Sequence, residues 1–187
     1  TSPPVIEAAR RLELPMAQPK GLKGGKFNQP LVESQAEAAV VVAYGKLIPA
    51  DVLAIPPRGF VNLHPSLLPR HRGPSPMQWA LVCGDRSTGV TTMQLDEGMD
   101  TGPILMQERT GIEAEETAET LSPRLAELGA KLIVRTLDGL EDGSVEARPQ
   151  PEDGANVTPL LRRNFAKVDW TMPARQLVNR LRGFTGI

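Results

Sequence analysis

Cysteine is nearly absent from this sequence. Cys83 stands alone among 187 residues, so neither an intramolecular disulfide framework nor a multi-cysteine zinc site can be built, and a reducing compartment suits the chain. Aromatic rings are scarce, seven in all, too few for a platform that stacks single-stranded nucleic acid. No apolar run approaches the roughly 18 residues a membrane span needs. Neither sign of charge dominates, with 21 basic and 22 acidic residues giving a net charge of −1. The first residues are polar and carry Pro3 and Pro4, without the basic-then-apolar pattern of a targeting leader, so a cytoplasmic protein, bacterial or organellar, is expected. What remains is a globular composition, 40% hydrophobic and 23% charged, at a length that fits one domain with or without a short extension.

Several familiar motifs are also missing. Residues 21–27 look like a phosphate loop but have one residue too few between the glycines, and Phe27 stands where Ser or Thr belongs. No G-x-G-x-x-G follows a strand, and Ser66 and Ser75 lack the G-x-S-x-G setting of an esterase nucleophile. His71, between Arg70 and Arg72, reads as a solvated loop residue.

The periodicity that is present predicts an α/β chain, with a doubly wound, mostly parallel Rossmann-like sheet carrying one antiparallel strand. A helix is expected over residues 2–13 and a loop over 20–30. The continuous apolar run at 38–43 predicts a strand covered on both faces. A short helix near 50–55 leads to a strand at 60–64, and fifteen residues between Tyr44 and Phe60 suffice for a parallel crossover. Another short helix at 76–83 precedes a strand at 89–95. Only residues 96–102 separate that strand from the apolar run at 103–107, which must therefore return antiparallel. Leucines at 121, 125, 128, 132, 137 and 140 mark a long amphipathic helix, with Ser122-Pro123 as its expected start and Gly143 as its end. Beyond lie a Pro-rich stretch and a helix over 173–181. Residues 160–182 hold six basic side chains against Asp169, either a solvated helix face or a surface for phosphates.

Two stretches carry chemistry. Asn62 and His64 are two apart on a strand, so they share a face, and they occupy the carboxyl end where open α/β sheets place ligands. They either finish a strand end or act on a ligand. Asp96, Glu97 and Asp100 crowd a loop with Gly98 and Gly102. With Asp100 turned towards His64, an amide donor, an imidazole and a carboxylate meet in one crevice. No covalent nucleophile is among them and the set is poor for a metal, so no metal is expected. Such a set suits attack by an external amine on a carbonyl carbon, with an oxyanion forming.

Asn62-x-His64-x-Ser66-Leu67-Leu68-Pro69, the downstream Gly73, and Asp96-x-Gly98-x-Asp100-Thr101-Gly102 resemble the signature of the 10-formyltetrahydrofolate-dependent formyltransferases. The run at 41–45, Arg70-x-Arg72-Gly73 with Pro76, and Val168-Asp169-Trp170 with Pro173 extend the likeness over essentially the whole chain. The resemblance implies formyl transfer from 10-formyltetrahydrofolate to the α-amine of methionine on initiator methionyl-tRNA, by a monomer acting in translation initiation. A related activity on glycinamide ribonucleotide or a nucleotide sugar is the alternative. It implies catalytic roles for Asn62, His64 and Asp100, with His64 protonated or sharing a proton with Asp100. Folate is expected along Val42, Ala43, Tyr44, Leu95, Asp96 and Gly98, and the tRNA acceptor end along Ser66, Leu67, Leu68, Pro69, Arg70 and Arg72. It also implies a catalytic domain over residues 1–150 lacking its first β-α-β unit, and an extension over 151–187 leading towards a C-terminal β-barrel domain.

Overall fold

The computed structural model describes residues 2–19, 21–22 and 27–186. Helix α1 (Pro4–Arg11) and the short α2 (Asn28–Glu33) come first, followed by strand β1 (Ala39–Val42), α3 (Ala50–Leu53) and β2 (Phe60–His64). Then come α4 (Pro76–Cys83), β3 (Ser87–Gln94), β4 (Ile104–Gly111), the long α5 (Ala118–Glu141), a 3₁₀ turn at Arg163–Ala166 and α6 (Ala174–Phe184). The strands form one sheet in the order β1-β2-β3-β4. β1 and β2 pair in parallel, while β3 runs antiparallel to both of its neighbours. Three strands therefore point one way and β3 the other, a mixed α/β sheet. The predicted return of the 103–107 run is present in the β3–β4 hairpin, and the reversed strand is β3.

β2 and α4 have the predicted bounds, because each carries its own punctuation. Gly59 at φ +71° precedes β2, Pro76 opens α4, and Gly84 at φ +72° ends it. α5 starts earlier than expected. Thr117 caps it, with its backbone N–H donating to the Thr120 hydroxyl at 3.0 Å, and Pro123 lies inside the helix rather than in its first turn. Its end is as predicted, with Gly143 left-handed at φ +76° just past the last turn.

Two readings of the first 45 residues are corrected. α1 is shorter than residues 2–13 and none of its residues is buried, its apolar stripe being only half-buried at Ile6, Ala8 and Ala9 and open at Val5. β1 is an edge strand, half-buried on one face and exposed on the other at Val40 and Val42, not a strand covered on both sides. The expected loop at 20–30 gives way to α2 from Asn28, and most of the phosphate-loop-like stretch lies outside the described residues.

The core gathers on one face of the sheet, where Leu121, Leu125 and Leu132 of α5 pack with Val90 of β3 and Leu81 of α4. Each buried leucine contributes about 1.5–3 kcal/mol. Gly129 brings α5 close enough that a Cβ there would lie 2.6 Å from the Leu63 side chain. Leu63 thus faces the helix, and strand alternation turns Asn62 and His64 to the opposite face. A second cluster, Leu68, Met93 and Ile104, lies on that face. The chain after residue 143 folds back on the rest. Arg148 bridges to Ile104 and Val157 to Arg72, the Trp79 indole N–H donates to the Pro159 carbonyl at 2.7 Å, and α6 packs against α4.

Candidate active site

His64 is buried at the end of β2, and both ring nitrogens face defined partners. Nε2 lies 2.9 Å from the His71 carbonyl oxygen. A carbonyl only accepts, so Nε2 carries the proton and Nδ1 of the neutral ring is bare. Nδ1 points to Asp100 Oδ2 at 3.6 Å, too far for a hydrogen bond. Asp100 Oδ2 instead accepts the Gly73 N–H at 2.7 Å. Asp100 sits at φ +54° and Gly73 at φ +89°. A Cβ on Gly73 would also lie 2.9 Å from the Thr158 carbonyl oxygen, so glycine meets both the turn and the crowding there.

Burial holds the His64 pKa below the ordinary imidazole range and the neighbouring His71 pushes the same way, while the Asp100 charge and the His71 carbonyl oppose them. The lowered pKa favours the neutral ring at rest, where the resemblance implies a ring protonated or sharing a proton with Asp100. At 3.6 Å nothing fits between the bare Nδ1 and the carboxylate, but the two stand side by side as acceptors, so an amine lying beside them could donate one N–H to each. Asn62 shares the face of His64 and is half-buried. Among the described residues no group of three or more His, Cys, Asp or Glu side chains gathers as a metal site.

The residues expected for folate are divided. Val42 pairs with Leu63 at the carboxyl end of β2, and Val42 and Tyr44 are exposed there. Leu95 lies at the other end, its N–H bonded to the Phe60 carbonyl at 2.8 Å. Asp96 closes its own loop, accepting the Gly98 N–H at 3.0 Å and the Thr101 hydroxyl at 2.9 Å. That closed loop carries Asp100 back to His64.

Of the residues expected for the acceptor end, Ser66 and Leu68 are buried. The Ser66 hydroxyl donates to the Arg70 carbonyl at 2.7 Å, and Leu68 belongs to the second core cluster. Leu67, Pro69 and Arg70 line a cleft of about 590 Å³ beside the site. Arg70 binds Asp85 at 2.8 Å, and Arg72 donates to Gln150 Oε1 at 2.9 Å. In the basic stretch, Arg182 donates to the Glu116 and Glu113 carbonyls at 2.7 and 2.9 Å. Arg180 reaches the Phe165 carbonyl and lies over the Phe184 ring. Both brace α6, which leaves Arg162, Arg163, Lys167 and Arg175 exposed on the outer surface.

Residues 2–137 match the formyl transferase family. The chain belongs to that family. It is 50% identical over 186 residues to the methionyl-tRNA formyltransferase of Deinococcus radiodurans, covering 98% of this chain and 57% of that protein. The chain spans between 57% and 59% of the length of the curated relatives it matches. A sugar N-formyltransferase from a Shewanella species superposes with a TM-score of 0.76 at 20% identity, covering 94% of this chain and 70% of that one. HypX from Aquifex aeolicus in complex with tetrahydrofolic acid superposes at 0.71 with 20% identity, over 83% and 28% of the two chains. At such identities the two structures share the formyl transferase fold.

Around the candidate site, sequence reasoning missed four supports. His71, expected in solvent, is buried, with Nε2 2.7 Å from Asp85 Oδ2. Asp85 is the second. Asn156 Oδ1 accepts the His71 N–H at 2.7 Å, and the Gln150 amide donates to the carbonyls of Asp100 and Gly102, both at 2.8 Å. Gln150 and Asn156 lie in a Pro-rich stretch with no periodicity to flag them, and only the fold brings them to the site.

Proposed function

We propose that the protein transfers a formyl group from 10-formyltetrahydrofolate to the α-amine of methionine on initiator methionyl-tRNA, in a bacterial-type cytoplasm. The observation that carries this reading is the placing of the bare His64 Nδ1 and the Asp100 carboxylate side by side, two acceptors for one amine, on the face that Asn62 shares. The half-identical relative of that name favours this acceptor over an amino sugar.

Bound 10-formyltetrahydrofolate supplies an activated one-carbon group, and the exposed Val42 and Tyr44 beside the His64 end of the sheet offer it a surface. Asn62 donates from its amide to the formyl oxygen as that atom becomes an oxyanion. His64 and Asp100 orient the amine and accept its proton during attack. The His64 imidazolium formed then stands beside the new negative charge, and Asp100 steadies it. Collapse breaks the bond from the formyl carbon to the folate nitrogen, which leaves with a proton, and the product is an N-formyl amide. Arg70 and Arg72 with the exposed basic residues 162, 163, 167 and 175 hold tRNA phosphates.

Full-length protein given methionyl-tRNA, glycinamide ribonucleotide or a nucleotide-linked amino sugar should formylate the first. Asn62→Ala should lower turnover by roughly 10² to 10³, and Asp100→Asn by roughly 10² to 10⁴. Formylation of the sugar or ribonucleotide alone would replace the proposed acceptor. A folded Asp100→Asn protein with ordinary turnover would remove Asp100 from the mechanism.

A further inference from the structure

The turn from Arg70 to Gly73 holds both reactive groups from behind, and it does so through backbone atoms. The His71 carbonyl takes the His64 Nε2–H, and two residues later the Gly73 N–H takes Asp100 Oδ2. His71 itself is left-handed at φ +57°, a conformation in which a non-glycine residue is strained. Something must hold it there. Its N–H is tied to Asn156, and its ring Nε2 lies 2.7 Å from Asp85. Asp85 is fixed in turn by Arg70 at 2.8 Å. Burial disfavours the Asp85 charge, but the hydrogen bond and charge of His71, with the charge of Arg70, outweigh it and keep the carboxyl below its usual range.

The other ring nitrogen of His71, Nδ1, is buried without a protein partner among the described residues. The contact with Asp85 is therefore what keeps this imidazole in place. Without it both nitrogens would be buried and unpaired, at a cost that favours rotation of the ring or entry of water. Either movement displaces the carbonyl on which the His64 tautomer depends.

We propose that His71, anchored by Asp85, is a positioning residue of the transfer reaction. It presents the carbonyl that holds His64 as the Nε2–H tautomer and sets the turn whose Gly73 N–H aims Asp100. This rests on the functional reading above. His71 touches no substrate in this role and acts only through the two groups it positions.

The test uses full-length protein with three variants. His71→Phe keeps an aromatic ring and removes the donor, Asp85→Ala removes the anchor, and His71→Gln restores an N–H at similar reach. A misplacement of about 1 Å in a reacting group costs up to roughly 10²-fold. His71→Phe and Asp85→Ala should therefore each lower kcat about 10- to 100-fold, with the folate KM nearly unchanged in both and the tRNA KM nearly unchanged in His71→Phe, which leaves the Arg70–Asp85 pair in place. His71→Gln should recover most of that loss. Long-range ¹H–¹⁵N spectra of substrate-free protein should show His64 as a single Nε2–H tautomer in the wild type and a mixture in the two damaging variants. A folded His71→Phe with ordinary kcat, or one slowed with the His64 tautomer intact, would overturn the proposal. If His71→Phe does not fold, Asp85→Ala carries the same two outcomes. A wild-type protein that formylates a different acceptor would sink the functional reading alone, because the tautomer spectra need no substrate.

Discussion

β1 and β3 lie two places apart in the same sheet, and burial runs opposite to their composition. β1 is Ala-Val-Val-Val, as apolar as a strand can be, yet Val40 and Val42 are 44% and 58% exposed. β3 carries Ser, three Thr and Gln among its eight residues, yet all six positions from Thr88 to Met93 are buried. The cause is neighbours. β3 sits between β2 and β4, with α5 over one face and the residues after His64 over the other. Its polar groups are absorbed there: the Thr91 hydroxyl donates to the Ser66 carbonyl at 2.7 Å, and Thr92 pairs with Thr136 of α5 at 2.8 Å. β1 has one paired edge, towards β2, and no helix buries its outward valines among the described residues. Apolar content thus says that a segment prefers cover, while topology decides whether it receives any.

The comparison predicts its largest difference in stability. Met93 is fully buried in β3, so Met93→Ala should destabilise the protein by about 2–5 kcal/mol through lost transfer energy and the cavity left behind. Val42→Ala, on the open face of β1, should stay within about 0.5 kcal/mol. Urea titration of both variants checks the pair. Comparable losses would show that β1 is covered in solution by something the described residues do not supply.

The same contrast explains what the sequence made legible. From β2 onwards the elements carry local signals: the alternation of Asn62, Leu63 and His64, the caps of α4, and the leucine period of α5. These match packing that exists, so reading and structure agree on where each element lies, with bounds shifted by up to four residues at β3, β4 and α6, and with the start of α5 misplaced at Pro123, where the usual first-turn preference fails. In the first 45 residues the apolar patterns of α1 and β1 are just as clear, but a pattern cannot report a missing partner. The candidate trio Asn62, His64 and Asp100 was visible because its residue types and spacing are themselves the signal. Its supports were not visible. His71, between two arginines, reads as solvent-exposed, and only the long-range contacts with Asp85 and Asn156, 14 and 85 residues away, bury it.

The buried side should also respond to acid in a way that β1 does not. The His64 pKa is lowered in the folded protein, so between its folded value and the unfolded value of about 6.5 the unfolded chain binds more protons. Stability contributed by His64 is complete above about pH 6.5 and is lost as pH falls towards the folded value. Asp85 adds a second, more acidic step, since its lowered pKa gives stability that is present above about pH 3.8 and lost as pH falls through the folded value. Urea unfolding across pH should show both steps in the wild type. His64→Gln should flatten the upper one, and Asp85→Asn the lower. An upper step that persists unchanged in His64→Gln would assign it to another group.

The smallest effect expected is a gain. The burial of β3 is nearly complete in its polar accounting, with one exception: the Thr88 hydroxyl is buried without a hydrogen-bond partner among the described residues. Strand alternation places it on the same face as Val90, towards α5. A buried hydroxyl without a partner costs about 1–3 kcal/mol relative to its hydrated state in the unfolded chain. Valine has nearly the same shape, keeps the β-branch that suits a strand, and brings no polar atom into the core. Thr88→Val should therefore raise stability by about 1 kcal/mol. Thr92→Val, two alternations further along the same face, should lower it, because Thr136 would lose the partner that Thr92 now provides. Thermal unfolding of the two variants in parallel separates the cases, since their volume changes are identical and only the state of the hydroxyl differs. A destabilised Thr88→Val would mean that the hydroxyl is satisfied in solution by a bound water, and that the polar groups of β3 are absorbed without exception.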